Sequence, residues 1–279
     1  MNDLQLMHEV VKLALLAGEA ILPFWRADVA VTNKADDSPV TAADLAAHRV
    51  IADGLLALAP QIPVLSEEDC NIPLAERQGW SRWWLVDPLD GTKEFIAGSE
   101  EFTVNIALVE NGEVVFGVVS MPTNGRCYFG GRGLGAWRAE VGEVAQAIQV
   151  RNAPPAGGRF TVVASRRHSS PEQEALLTGL GAAVGELELA NIGSSLKFCL
   201  LAEGSADCYP RLAPTSQWDT AAAQGVVEGA GGEVIGLDGL PFRYPARESL
   251  LNPHFLALPA NAAWRQAFLS LICQADMIV

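Results

Sequence analysis

Apolar residues return at helical spacing through the first twenty-odd positions: Leu4, Met7, Val11, Ala14, Leu15, Gly18, Ile21 and Leu22. That period puts them on one stripe of an amphipathic helix facing a core. A polar stretch from Thr32 to Thr41 interrupts the pattern. Thr41 then reads as an N-cap, with Asp44 at the third helical position, and a second helix is expected through about Leu58, ended by Pro60 and Pro63. Downstream the period shortens. Pro63 to Ser66 and Trp83 to Val86 read as short strands that end at Glu67 and Asp87. Phe102 to Val109 and Glu113 to Met121 flank Asn111-Gly112, a strong hairpin signal. Two more short strands are expected at Arg126 to Phe129 and Ala136 to Arg138.

The pattern changes at the proline- and glycine-rich stretch Arg151 to Gly158, the best domain boundary in the chain. It divides an N-terminal unit, 1–153, from a C-terminal unit, 154–279. Beyond it apolar strands alternate with helices: strands at Phe160 to Ala164, Leu187 to Ile192, Cys208-Tyr209 and Glu233 to Ile235, helices at Pro171 to Leu180, Ser194 to Glu203 and Thr220 to Gly229. Such alternation predicts α/β for the second half. The first half, two helices followed by antiparallel strands, is expected to be α+β.

Composition narrows the function. The 279 residues are 49% hydrophobic and 19% charged, enough for a full core. A net charge of −14 argues against gripping a nucleic-acid polymer. It does not forbid a small anionic substrate, because a bound divalent cation inverts the local field. The five cysteines, Cys70, Cys127, Cys199, Cys208 and Cys273, are odd in number and none shares CxxC spacing. Free thiols in a reducing cytoplasm are expected, rather than a disulfide framework or a zinc site. Asp3, Glu9 and Glu19 are foreign to a signal peptide, and no stretch has the length of a membrane span. Peripheral attachment at the inner membrane is left open.

Four acidic positions carry candidate chemistry. Asp87-Pro88-Leu89-Asp90-Gly91-Thr92 delivers two carboxylates from a strand end, a glycine that permits close approach and a hydroxyl. Hard oxygen ligands of this kind suit Mg²⁺ shared with a phosphate. Glu67 ends the neighbouring strand and Asp219 opens a helix, and strand ends and helix starts tend to converge on one rim. The four are expected to gather into one cage of oxygens around two or more Mg²⁺ ions. Each has a plainer reading. Asp219 alone is a helix N-terminal acid, Glu67 a solvated charge like Glu68 and Asp69, and Asp87 to Asp90 a turn. Gly131-Arg132-Gly133-Leu134-Gly135 fails dinucleotide-loop spacing and reads as a turn between strands. His8, His48 and His254 carry no pattern.

Taken in order, Asp44, Glu67-Glu68, Asp87-Pro88-Leu89-Asp90-Gly91-Thr92 and Trp218-Asp219-Thr220-Ala221-Ala222 resemble the signature of the lithium-sensitive, Mg²⁺-dependent phosphatase superfamily of inositol monophosphatase and fructose bisphosphatase. Lys93-Glu94-Phe95-Ile96, Gly193 to Cys199, Tyr209-Pro210-Arg211, Arg247-Glu248-Ser249 and Asn252-Pro253 resemble one branch, the CysQ-type 3′(2′),5′-bisphosphate nucleotidases. The resemblance implies a layered αβαβα sugar-phosphatase fold. It implies that Glu67, Asp87 and the carbonyl of Leu89 hold one Mg²⁺, that Asp87, Asp90 and Asp219 hold a second, and that two or three ions act. It further implies that Gly91 and Thr92 amides cradle the scissile phosphate. Thr92 and Asp44, with Glu67 nearby, would form a dyad that orients or deprotonates the attacking water. Ser194, Lys197, Arg211 and His168, with Asp219, would contact the substrate, although Lys197 and Arg211 alone could be surface charges and His168 an exposed loop residue. The implied substrate is a small nucleotide bisphosphate, adenosine 3′,5′-bisphosphate first and its 5′-phosphosulfate relative second. Another small phosphate ester, and a partner-binding regulatory protein on the same fold, stay open. Oligomeric state is not legible.

Overall fold

The run Trp83-Trp84-Leu85-Val86 lacks the alternation of a half-exposed strand, so both of its faces need cover. The computed structural model, which describes residues 1–27, 32–33, 39–154, 156, 158–164 and 171–274, supplies that cover. Helix α1 (Asp3–Ile21) leads into a 3-10 turn (Leu22–Phe24), and β1 (Thr32–Asn33) pairs antiparallel with β2 (Pro39–Val40) before α2 (Ala42–Leu58). Next come β3 (Val64–Ser66), α3 (Leu74–Arg77), β4 (Arg82–Asp90) and α4 (Thr92–Ile96). An antiparallel run follows: β5 (Thr103–Glu110), β6 (Glu113–Met121), β7 (Arg126–Gly131), β8 (Gly135–Ala139) and β9 (Gln146–Ala147). Strands β3 to β9 form one sheet in sequence order, parallel at β3–β4 and antiparallel elsewhere. The β5–β6 hairpin turns at Asn111 and Gly112, both at positive φ (52° and 80°), as the Asn-Gly pair predicts.

The second half contains β10 (Phe160–Ala164), α5 (Pro171–Val184), β11 (Leu187–Asn191), α6 (Leu196–Ala202), β12 (Tyr209–Arg211), α7 (Trp218–Gly229), β13 (Gly232–Gly236), β14 (Phe255–Pro259) and α8 (Arg265–Gln274). β10 and β11 pair in parallel, β12-β14-β13 pair antiparallel, and a parallel bridge from Val162 to Cys208 joins the two sets. The alternation read from sequence is present, but the sheet is mixed.

Side chains from both faces of the first sheet find helices. Trp84, Val86, Ile106 and Val118 pack with α1 and α2, while Trp83, Leu85, Ala107 and Val119 pack with α6 and α7. Those two helices also meet Val163, Tyr209, Val234 and Phe255 of the second sheet. Leu176, Leu180 and Phe268 of α5 and α8 close its outer face against Phe160, Val162 and Leu256. The result is the αβαβα layering that the resemblance implies. Helix α7 lies unusually close to β6. A Cβ at Gly117 would sit 1.8 Å from the Ala222 carbonyl oxygen, and one at Gly225 2.5 Å from the Gly117 nitrogen. This contact fixes the helix that carries Asp219.

Several boundaries differ from the sequence reading. β4 does not end at Asp87 but resumes pairing at Asp90, with an irregularity between them. Pro88 has no N–H for the ladder, which accounts for the break. α6 starts at Leu196 rather than Ser194, because Ser194 sits at φ 47°. α4 begins at Thr92, where a helix start is expected, whereas α3, β9, β14 and α8 were not anticipated. Cys70, Cys127, Cys199 and Cys208 are free thiols, the last three buried, and the Cys273 side chain lies outside the described residues. Among the described residues no helix is long and apolar enough to cross a membrane.

Candidate active site

The irregular end of β4 arranges the first candidates. Asp87 is 1% exposed, and its Oδ1 accepts the Leu89 N–H at 3.0 Å, closing a turn over Pro88. Gly91 follows at φ 94°, and a Cβ there would press on the Glu101 carbonyl at 3.0 Å. Only glycine makes this turn without strain. Thr92 then begins α4, with its Oγ1 3.4 Å from Asp44 Oδ1 and 3.3 Å from the Leu89 carbonyl. Asp44 is buried and held by its own helix cap: its Oδ2 accepts from Thr41 N (2.8 Å) and Thr41 Oγ1 (2.7 Å). The expected Asp44–Thr92 pair is therefore in place, with the other carboxylate oxygen turned to the threonine.

Asp90 and Asp219 come together through a serine. Asn105 Nδ2 donates to Ser195 Oγ at 2.7 Å, and Ser195 Oγ donates to Asp90 Oδ2 at 2.7 Å. The same hydroxyl lies 3.1 Å from the Asp219 carbonyl, while Asp219 Oδ2 accepts the Ser216 N–H at 2.7 Å. Glu67 is half-buried, and its N–H donates to the Val86 carbonyl at 3.0 Å. The four acids act on one another through the field. Burial first, then Glu67, Asp90 and Asp219, push the Asp87 carboxyl well above the usual range. Burial and then Asp90 do the same to Asp219, against the Ser216 N–H. Their mutual influence is electrostatic: among the described residues, no three acidic, histidine or cysteine side chains close to chelating distance. The expected cage is thus a cluster rather than a closed ring. Hard carboxylates that raise one another's proton affinity in a buried setting fit a hard divalent cation, Mg²⁺ above all.

A cleft of about 190 Å³ opens beside them, walled by Asp90, Gly91, Ser194, Lys197, Arg211 and Asp219. Lys197 is 7% exposed, and its Nζ donates to the Ser194 carbonyl at 2.9 Å. Burial pushes this ammonium down to about 8, with Asp90 opposing and Arg211 assisting. Arg211 is braced by backbone: Nε donates to Ala213 O and Nη2 to Pro214 O, both at 3.1 Å. Ser194 Oγ is buried and has no hydrogen-bond partner among the described residues. His168 lies outside the described residues. Sequence reading takes Ser195 only as part of an anion-friendly helix start, and misses its bond to Asp90 as well as Asn105 and Glu101, whose Oε2 accepts the Gly193 N–H at 2.7 Å. Asn105 had a readable signal, an amide inside the apolar run Val104 to Val109.

Residues 3–272 match the sequence profile of the inositol monophosphatase family. The chain is 51% identical over 253 residues to the 3′(2′),5′-bisphosphate nucleotidase CysQ of Shigella flexneri, covering 90% of this chain and 98% of that one. Among solved structures it resembles CysQ from Bacteroides thetaiotaomicron, a bacterial member of the inositol monophosphatase family, with TM-score 0.78, 39% identity and coverage of 92% and 98%. It also resembles a Thermotoga maritima IMPase, with TM-score 0.74, 25% identity and 96% of each chain covered.

Proposed function

The chain belongs to the inositol monophosphatase family, and on that premise we propose that it is a Mg²⁺-dependent phosphatase that removes the 3′-phosphate of adenosine 3′,5′-bisphosphate to leave AMP. Its 5′-phosphosulfate relative, bearing the same 3′-phosphate, is a second substrate. One cleft with two poles supports the reading most directly. Asp90 and Asp219 line it with negative charge, Lys197 and Arg211 with positive. A metal-bound ester needs the first pole, and only a substrate with a second anionic group needs the other. An inositol monophosphate has no such group.

Glu67, Asp87 and the Leu89 carbonyl would hold one ion, and Asp87, Asp90 and Asp219 another. Bound Mg²⁺ would neutralise phosphate charge and acidify water. The chain's own residues do the rest. Gly91 and Thr92 N–H groups orient the scissile phosphate. Thr92 donates its proton to Asp44 and keeps a lone pair to accept from water, so the pair aims the water at phosphorus. Glu67 or Asp44 takes the water's proton as the new P–O bond forms and the bond to the 3′-oxygen breaks, and that oxygen takes a proton from solvent water to leave as the 3′-hydroxyl. Lys197, Arg211 and Ser194 anchor the 5′ group. Positioning and charge stabilisation carry most phosphoryl transfers, so no covalent phosphoenzyme is needed.

Phosphate release with Mg²⁺ from adenosine 3′,5′-bisphosphate, inositol 1-phosphate and fructose 1,6-bisphosphate tests the reading. The nucleotide should give the highest kcat/KM, Asp90→Asn should remove turnover while keeping the fold, and Li⁺ should inhibit. Preference for the inositol or fructose ester would overturn the substrate. Near-normal turnover in Asp90→Asn would overturn the site.

A further inference from the structure

Asn252 has no part in the reaction as described, yet it is buried behind Asp219. It ends a strap, residues 247–252, laid against the turn that opens α7. Gln217 N donates to Leu250 O at 2.9 Å, Asn252 N donates to Thr215 O at 2.7 Å, and Ser216 bridges to Leu251. Arg247 laces the strap through Ser249 O (3.2 Å) and Leu251 O (2.7 Å), and Arg77 Nη1 ties it down through Arg247 O at 3.0 Å.

The Asn252 side chain reaches the turn itself. Its Nδ2 is 2.6 Å from Ser216 O, 3.0 Å from Thr220 Oγ1 and 3.1 Å from Thr215 Oγ1. A carbonyl can only accept, so the nitrogen, not the oxygen, must face Ser216. The proton order beyond follows from the partners. Tyr244 OH gives its proton to Gln224 Oε1 at 2.8 Å, so in its 2.9 Å contact with Thr220 it accepts. Thr220 Oγ1 is then an acceptor towards Asn252. The amide thus grips both sides of Asp219: the Ser216 carbonyl, which also accepts the Asp219 N–H at 3.2 Å, and the hydroxyl of the residue after it. Ser216 is also the residue whose N–H holds the Asp219 carboxylate at 2.7 Å. Asn252 Oδ1, by contrast, is buried and has no partner among the described residues. A buried orphan acceptor is unfavourable, so an apolar side chain would serve plain packing better. The donor half of the amide is what the site uses.

We propose that Asn252 is a positioning residue for Asp219, fixing the direction of its carboxylate and thereby the affinity for a divalent ion. This rests on the reading of Asp219 as a metal ligand. Outer partners of metal ligands typically contribute about 10–100-fold in affinity.

The test uses the full chain, Mn²⁺ as the probe and no substrate, with free Mn²⁺ counted by electron paramagnetic resonance. Asn252→Asp keeps the shape but loses both donors, and Asn252→Ala loses them without adding charge. Both should bind Mn²⁺ about tenfold or more weakly at a temperature where melting curves show them folded. KM for adenosine 3′,5′-bisphosphate at saturating Mg²⁺ should stay within about twofold, the pattern of a lost metal contact rather than a lost substrate contact. Asp219→Asn should also bind weakly, and adding Asn252→Asp to it should change nothing further. Wild-type Mn²⁺ binding in folded Asn252→Ala, or additive losses in the double variant, would overturn the proposal and leave Asp219 a ligand. Unchanged binding in Asp219→Asn would instead overturn the reading beneath it. Failure of both Asn252 variants to fold would show the residue holds the whole turn rather than one carboxylate, and would also overturn the proposal.

Discussion

A lysine nearly closed off from water beside a carboxylate cluster is sensitive to pH. Burial lowers Lys197 to about 8, so the charged form that attracts an anion is lost above that point. The kcat/KM profile reports groups of the free enzyme. For adenosine 3′,5′-bisphosphate it should fall as pH rises through about 8, and Lys197→Arg should move that limb beyond reach because guanidinium stays charged. A limb that stays in place would remove Lys197 from the anion pole. Asp87 gives the opposite kind of test. Its folded-state pKa is raised, so its contribution to stability is present below the ordinary carboxylate range and is lost as pH rises through the raised value. Metal-free protein should therefore melt lower at neutral pH than at mildly acid pH where this group dominates, and Mg²⁺ should reverse the loss. Asp87→Asn in chelator at pH 7 should melt about 2–4 °C higher, gain little from Mg²⁺ and turn over nothing, a common exchange of function for stability. A lower melting point in chelator would contradict the field described here. The residues legible from sequence were those whose chemistry is local: Thr41 with Asp44, and Asp87 through Thr92. The bond from Asn105 to Ser195 was not, since it joins positions 90 apart that no short pattern relates.

At the scale of elements, the position of Asp219 depends on how closely α7 can lie on β6. Gly117 and Gly225 let the two backbones touch, and Ala221 and Ala222 continue the small face. Gly117→Ala drives a methyl into the Ala222 carbonyl, and neither side of that contact is a side chain that can swing away. Such overpacking should destabilise the fold by about 1–3 kcal/mol, read by denaturant melts, and should weaken Mg²⁺ activation by moving the start of α7. Full stability together with normal Mg²⁺ response would show that the approach is looser than described. Helices with caps and strands with an Asn-Gly turn were readable because their signals are internal. The start of α6 was misplaced because a serine at φ 47° looks from sequence like a helix cap. β14 escaped because Phe255 to Leu258, a short apolar run, gains strand character only from β12 and β13 on either side.

For the whole molecule, the layering was implied by family resemblance rather than by periodicity, and the division expected at 153/154 describes chain order better than packing. One core joins Leu85, Ala107 and Val119 of the first sheet to Ala221, Val226 and Phe255 of the second half. Covalent order and physical partition do not coincide. A chain stopped at residue 153 would leave an entire sheet face wet and should aggregate. The same segment expressed together with 154–279 should recover a soluble, active pair, detectable by co-purification and phosphate release. Recovery of a soluble monomer from 1–153 alone would contradict this. During synthesis on the ribosome, such a protein should stay chemically inert until more than two hundred residues have emerged, because the helix that covers the first sheet also carries Asp219, the fourth of the proposed metal-binding acids.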